Sequence, residues 1–252
     1  MENKWTLKNK YALVTGGSKG IGKSITETFV ELGAKVIAIA RSENDLKKIK
    51  DKYPKNIEGM ATDLSDPSNY PKVISFVKDH FKHLDILVNN VGVNIRKKTT
   101  EYSAEEYQKI INTNLTSAFE LSRLAHPLLQ ESEEPSIVNI SSIAGQVHIR
   151  TGSIYGMTKA AMIQLTKNLA GEWAKDNIRV NAIAPWYINT SLAQTVLKDK
   201  KYYEEVLSRT PMNKIGEPED VASAVAFLCM SKAKFITGQC LSVDGGFTIY
   251  GF

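Results

Sequence analysis

The stretch Tyr11-Ala12-Leu13-Val14-Thr15-Gly16-Gly17-Ser18-Lys19-Gly20-Ile21-Gly22 decides how this chain is read. Tyr11 to Thr15 is a short apolar run of the kind that forms a buried strand. Beyond the glycines, Ile21, Ile25 and Phe29 recur at i, i+4 and i+8, one face of a helix that closes at Gly33. A glycine-rich turn between strand and helix lets backbone N–H groups approach a pyrophosphate, and the helix turns its positive end toward that charge. Three residues separate Gly16 from Gly20, so the spacing departs from G-x-G-x-x-G. The strand before the turn and the helix after it supply the context that dinucleotide binding requires. Gly16, Ser18, Lys19, Gly20, Ile21 and Gly22 are therefore expected to hold a dinucleotide; a plain tight βα connection is the alternative.

The same alternation continues outward. Strand patterns follow at 35–40, 57–62, 85–89, 137–141, 179–184 and 239–243, and helical patterns at 43–52, 67–81, 104–114, 115–129, 153–175 and 218–230. Strands apolar on both faces, alternating with helices, mean a parallel sheet covered on both sides. The expected fold is α/β, a single Rossmann-type doubly wound parallel sheet of about seven strands, with residues 1–252 forming one domain. Residues 185–217 have the least regular pattern, with one or two short helices, and are expected to form a substrate lid.

The 252 residues hold 32 Lys plus Arg against 27 Asp plus Glu, a net charge of +5, with 42% hydrophobic and 23% charged residues. Such values exclude disordered and collagen-like chains. A chain of this length buries roughly 70–75% of its unfolded surface, so no metal or disulfide staple is needed. Cys229 and Cys240 make no disulfide framework and fit a reducing cytoplasm, the compartment expected here. Met1-Glu2-Asn3-Lys4-Trp5 lacks the apolar core of a signal peptide. The longest uncharged stretch, 180–197, is too polar for a membrane span. The basic residues stand in short clusters interleaved with acids, such as Arg96-Lys97-Lys98, which read as solvated surface rather than a nucleic-acid track. Neither nucleic acid nor membrane is an expected partner.

The end of the second strand pattern, Ala40-Arg41-Ser42, bears on the choice of nicotinamide cofactor. A carboxylate there would take the ribose 2′-OH of NAD. Arg41, Ser42 and Lys19 instead suit a 2′-phosphate, with no acid at that tip to repel it. NADP(H) is the expected cofactor.

Tyr155 and Lys159 stand at i and i+4 of one helical pattern. A tyrosine titrating near ~10 is a poor acid or base at neutral pH, and an ammonium beside it should lower that value. So tuned, the phenol can protonate a ketone oxygen or, in reverse, deprotonate an alcohol. Ser142 falls at the tip of the fifth strand pattern, where open α/β sheets bind ligands. Its hydroxyl can hold the same oxygen. An ordinary surface Tyr/Lys pair and a loop serine are the alternatives.

These residues run in order through nearly the whole chain with Asn89-Asn90-Val91-Gly92, Asn114, Asn181 to Pro185 and Val243-Asp244-Gly245-Gly246. Together they resemble the short-chain dehydrogenase/reductase family. Asn94-Ile95-Arg96-Lys97, Pro185-Trp186-Tyr187-Ile188, His126-Pro127 and Gly171 to Asp176 look like its tropinone-reductase-like branch. The resemblance implies Tyr155 as general acid/base, Lys159 on the nicotinamide ribose, Ser142 on the carbonyl, and Asn114 on a water that links Lys159 to solvent. It also implies Asp63 and Leu64 at the adenine, Asn90 and Gly92 along the adenosine, Pro185 in the cofactor crevice, and Ile188 and Thr190 at the nicotinamide carboxamide. Read alone, Asn114 is a polar residue inside a helical pattern, Asp63 a turn residue and Thr190 a helix cap. Val91 and Trp186 stand where the broad family usually has Ala and Gly; the branch shares both changes.

The expected activity is reversible, NADPH-dependent reduction of a small, largely apolar ketone. Val93, His148, Ile149, Trp186, Leu192, Val196 and Met212 are the expected substrate-pocket residues, with Leu197 in the lid. Another short-chain activity, on a 3-oxoacyl thioester, sugar or steroid, and a non-catalytic dinucleotide sensor are the alternatives. No metal site is expected. The resemblance implies a homodimer or homotetramer built on the helical patterns 115–129 and 153–175. The apolar tail, Phe247 to Phe252, is expected to pack at a subunit interface or over a neighbouring site.

Overall fold

Alternating residues of the first strand send their side chains to opposite faces of a sheet, and both faces here are apolar. The computed structural model describes residues 5–250; Met1 to Lys4, read above against a signal peptide, and the tail residues Gly251 and Phe252 lie outside them. Among the described residues seven strands form one sheet: β1 (Tyr11–Thr15), β2 (Lys35–Ala40), β3 (Ile57–Ala61), β4 (Ile86–Asn89), β5 (Ser136–Ile140), β6 (Arg179–Pro185) and β7 (Cys240–Val243). All pair in parallel, in the order β3-β2-β1-β4-β5-β6-β7. The chain runs from β1 to one edge, then returns past it to β4. The C-terminal ends of β1 and β4 thus open a crevice at the switch point.

The helices are α1 (Gly20–Glu31), α2 (Glu43–Lys52), α3 (Tyr70–His80), α4 (Ala104–Ile111), α5 (Ser117–Gln130), α6 (Ser153–Glu172), α7 (Ser191–Leu197), α8 (Lys200–Ser208) and α9 (Pro218–Cys229). Leu13, Leu87, Ile137 and Val180 pack on one face of the sheet against α3, α5 and α6. Ala12, Val14, Val88, Val138 and Ile183 face the other way, onto α1 and α9.

Two helical patterns differ from expectation. The 67–81 pattern divides into a single 3₁₀ turn, Pro67–Asn69, and α3, because Pro71 in the first turn of α3 has no N–H to continue a helix begun earlier. The 153–175 pattern stops at Glu172 and passes through a 3₁₀ turn into Asn177, which is left-handed at φ 58°. Between α4 and α5 the chain stays helical through a π turn, Asn112–Thr116. The 185–217 segment contains two short helices, α7 and α8, within the range anticipated. Tyr187, Ala193, Leu197 and Val206 bury a small apolar cluster between them.

One close approach sets the position of α6. A Cβ on Gly145 would lie 2.6 Å from the Lys159 carbonyl carbon and 2.7 Å from the Ala160 nitrogen. The turn after β5 therefore rests on the backbone of α6, at a distance only glycine permits. Ser141 Oγ donates to the Lys159 carbonyl at 2.7 Å across the same junction.

Candidate active site

Helix α1 begins without a capping side chain and without an acid in its first turn. Its first N–H groups are free to face a ligand. Helices α2, α4, α7 and α8, by contrast, are capped by Ser42, Ser103, Thr190 and Asp199. The turn before α1 is drawn tight. Gly16 has φ +66°, and a Cβ on Gly22 would lie 2.1 Å from the Gly16 carbonyl oxygen. Asn90 Nδ2 donates to the carbonyl of Thr15 at 2.8 Å and to that of Gly16 at 3.4 Å. This side chain lashes the tips of β1 and β4 together, and its amide is spent on the protein.

A cleft of about 570 Å³ runs from this turn along the C-terminal ends of the strands. The structure places Gly16, Ser18, Lys19, Gly20, Ile21, Gly22, Arg41, Ser42, Asp63, Leu64, Asn90, Gly92, Pro185, Ile188 and Thr190 along it, with Ser142, Tyr155 and Lys159. Several of these also serve the fold. Ser42 and Thr190 cap helices, Asp63 accepts from the Ser65 N–H at 2.9 Å as a turn residue, and Leu64 belongs to the core.

At the β2 tip one expectation needs correction. No acid stands in Ala40-Arg41-Ser42, but the first turn of α2 brings Asp45 into the cleft. Its carboxylate pairs with Lys19 Nζ at 2.8 Å, and that pair holds it below the usual aspartate range. Lys19 is therefore already partnered, while Arg41 is exposed.

Tyr155, Ser142 and Lys159 converge on the cleft where the tip of β5 meets α6. The Ser142 hydroxyl faces Tyr155 and favours its phenolate. Lys159 is buried, with Nζ donating to the Ile140 carbonyl at 2.8 Å and lying 5.7 Å from the Tyr155 ring centroid. Lysine was expected to lower the phenol's pKa. Burial instead raises it, and the opposing effects come from Ser142 and from the Arg96 guanidinium. At neutral pH the phenol is thus protonated and able to give a proton. Burial also pushes the Lys159 ammonium down to about 8.

Asn114 is fully buried on the π turn. Its Oδ1 accepts from the Val93 N–H at 2.8 Å, and its Nδ2 donates to the Val93 carbonyl at 2.9 Å and to Thr158 Oγ1 at 3.3 Å. The side chain pins the loop after β4 to α6. A Cβ on Gly92 would lie 3.5 Å from Lys159 Nζ and 3.6 Å from Asn114 Oδ1, so both groups face the same small space.

Of the expected pocket residues, Val93, Ile149, Trp186 and Leu192 line the cleft. His148, Val196 and Met212 do not. His148 borders a separate depression behind Trp186 and Tyr187, Val196 packs against the α7–α8 cluster with Leu197, and Met212 is exposed. Asn94, Arg96, Thr151 and Tyr187 line the cleft without having been singled out for it. Arg96 was read as part of a surface cluster; its place three residues past Val93, on the loop leaving β4, was the available signal.

Residues 16–248 match the family described as enoyl-(acyl carrier protein) reductase, of short-chain dehydrogenase/reductase type. A tropinone reductase homologue of Arabidopsis thaliana, At5g06060, is 52% identical over 255 aligned residues, covering 100% of this chain and 97% of the relative. Senescence-associated protein 13 of the same plant is 48% identical, over 99% of this chain and 94% of the relative. The chain belongs to the short-chain dehydrogenase/reductase family. It is tropinone-reductase-like within that family. Among solved structures, the aldohexose dehydrogenase of Thermoplasma acidophilum superposes with a TM-score of 0.88 at 35% identity, covering 97% of this chain and 96% of that one. A protein from Beutenbergia cavernae, provisionally described as an NAD(P)-dependent gluconate 5-dehydrogenase and holding NADP at low occupancy, gives 0.94 at 30%, covering 98% and 100%.

Among the described residues of this dehydrogenase/reductase, no group of three His, Cys, Asp or Glu is placed to hold a metal, and no helix is long and apolar enough to cross a membrane. The buried Lys159 has a measurable consequence. A pKa lowered from 10.5 to about 8 means the native state disfavours the ammonium by about 3 kcal/mol. That cost is complete below about pH 8 and fades as pH rises toward 10.5, where the unfolded chain also loses the proton. Lys159→Met is expected to raise the thermal midpoint of the cofactor-free protein at pH 7, with the gain shrinking across that window, and to abolish turnover. Thermal unfolding from pH 7 to 10 checks this; a lower midpoint at pH 7 would contradict it.

Proposed function

We propose that this protein reduces a ketone to a secondary alcohol with NADPH, reversibly, using Tyr155 as general acid/base. The observation that carries the reading is the Tyr155 phenol facing Ser142 beside a buried lysine, on a cleft that begins at an uncapped helix N-terminus. The backbone from Gly16 to Gly22 would hold the pyrophosphate. Arg41, Ser42 and Lys19 would hold the 2′-phosphate, with Asp63 and Leu64 at the adenine. Lys159 would hold the nicotinamide ribose, and Ile188 and Thr190 the carboxamide. The cofactor, when bound, supplies hydride to the carbonyl carbon. Ser142 holds the carbonyl oxygen while Tyr155 Oη gives it a proton. Val93, Ile149, Trp186 and Leu192 form the apolar wall that accepts the body of the ketone.

Assembly as a homodimer or homotetramer belongs to the same reading. Phe119 on α5 and Met157 on α6 are exposed apolar residues on the two helices expected at the interface, and Ile249 in the tail is 87% exposed. Phe247 instead stacks on Trp186 of its own chain, with ring centroids 3.7 Å apart. Sedimentation at micromolar concentration should show a dimer or tetramer; a monomer would refute this part.

Tyr155→Phe should lower kcat for ketone reduction by roughly 10²–10⁴-fold with NADPH affinity within a few-fold of the parent. Alcohol oxidation needs the phenolate and should rise with pH through the alkaline range, whereas reduction should not gain. Full turnover by the variant would remove the acid from the proposal. For the cofactor, NADPH should bind more tightly than NADH, Arg41→Asp should reverse that order, and Asp45→Asn should tighten NADPH several-fold by releasing Lys19. Fluorescence titration of both cofactors measures all three; equal affinities in the parent would overturn the NADP assignment.

A further inference from the structure

The loop after β4 carries Arg96 to the wall of the cleft, on the half served by β4, β5 and β6. Its Nη1 donates to Tyr187 Oη at 3.4 Å, and Tyr187 Oη lies 2.6 Å from Tyr202 Oη. A guanidinium has five N–H donors and stays charged at every relevant pH. The phenols of Tyr187 and Tyr202 are its polar neighbours, and burial pushes that of Tyr187 up to about 12, so Tyr187 stays neutral at pH 7. Nearby cations are differently placed: Lys97 pairs with Glu106 at 2.6 Å and Arg150 with Glu205 at 2.6 Å. Among the described residues no carboxylate pairs with Arg96. The acids that line the cleft, Asp45 and Asp63, stand at its far end, beyond β2 and β3, and Asp45 is engaged by Lys19.

Arg96 lines the same cleft as Ser142 and Tyr155, and its charge acts on the Tyr155 phenol. A small molecule with its carbonyl at Tyr155 can therefore extend to the guanidinium. Val93, Ile149, Trp186 and Leu192 enclose the space with apolar surface, which strengthens a charge pair by excluding water.

We infer that Arg96 is a specificity-determining residue and that the ketone carries a carboxylate, held by Arg96 while its carbonyl faces Ser142 and Tyr155. This rests on the ketone-reductase reading above, and refines its apolar substrate to one with an apolar body and an anionic end. A planar carboxylate matches the guanidinium fork in two parallel hydrogen bonds.

The test is a set of matched pairs: acetoacetate, levulinate and 4-oxo-4-phenylbutanoate, each beside its methyl ester, assayed with NADPH. At least one acid should exceed its ester in kcat/KM by about 10- to 100-fold, mainly through KM. Arg96→Gln should collapse that ratio, and Arg96→Lys should keep part of it; thermal unfolding verifies that both variants fold. Esters reduced as well as acids throughout, in a Tyr155-dependent reaction, would overturn the role of Arg96 and leave the reductase reading standing. A ratio unchanged in Arg96→Gln would do the same. No turnover of any member by a protein that binds NADPH would fail both readings together.

Discussion

The tip of β5 and one turn of α6 hold each other by a reciprocal pair of hydrogen bonds at Lys159. Ser141 gives its hydroxyl proton to the Lys159 carbonyl, and Lys159 gives an ammonium proton to the carbonyl of Ile140. Gly145 lets the turn after β5 lie directly on the helix backbone. Ser142 follows Ser141, and Tyr155 stands one helical turn before Lys159, so this junction fixes both hydroxyls at once. Shifting α6 by even one ångström would separate them, and effects of that size are felt in catalysis.

Charge in the cleft follows from where each cation finds its partner. Lys159 pays for its position with a lowered pKa, since one carbonyl and a thioether 3.6 Å away replace its water shell. Lys19 shares its charge with Asp45 beside the first turn of α2. At the other end Arg96 meets the phenol of Tyr187, and among the described residues no carboxylate pairs with it. The phenol of Tyr155 is shaped by burial first and by Ser142 and Arg96 against it, so the cation that tempers it comes from a different loop than the helical neighbour.

The segment between β6 and α9 forms a wall more than a loose flap. Trp186 is held from three sides: its indole N–H donates to Thr210 Oγ1 at 3.1 Å, Phe247 stacks on one face, and Tyr187 meets it edge-on at 4.7 Å. Thr210 in turn donates to the Val206 carbonyl at the end of α8. The bulk of Trp186 beside Pro185 is thus absorbed by local packing, and its face remains available to the cleft.

Local pattern was enough for the fold. β-branched and apolar runs alternating with 3.6-period segments specify strands and helices, and apolar character on both strand faces specifies a covered parallel sheet. The glycine turn, Ser142 and the Tyr155–Lys159 spacing were legible for the same reason, because each depends on a neighbour within a few residues or on a strand tip. What only the folded chain decided were relations between distant segments. Asp45 reaching Lys19, Arg96 reaching Tyr187 and Tyr155, Asn114 spent on Val93, and Val196 and Met212 turned away from the cleft all depend on how loops and helices are carried in space. Periodicity records which face of an element is apolar; it holds no information on the angle at which a loop presents one side chain, nor on whether burial or a neighbouring charge prevails at a half-buried phenol.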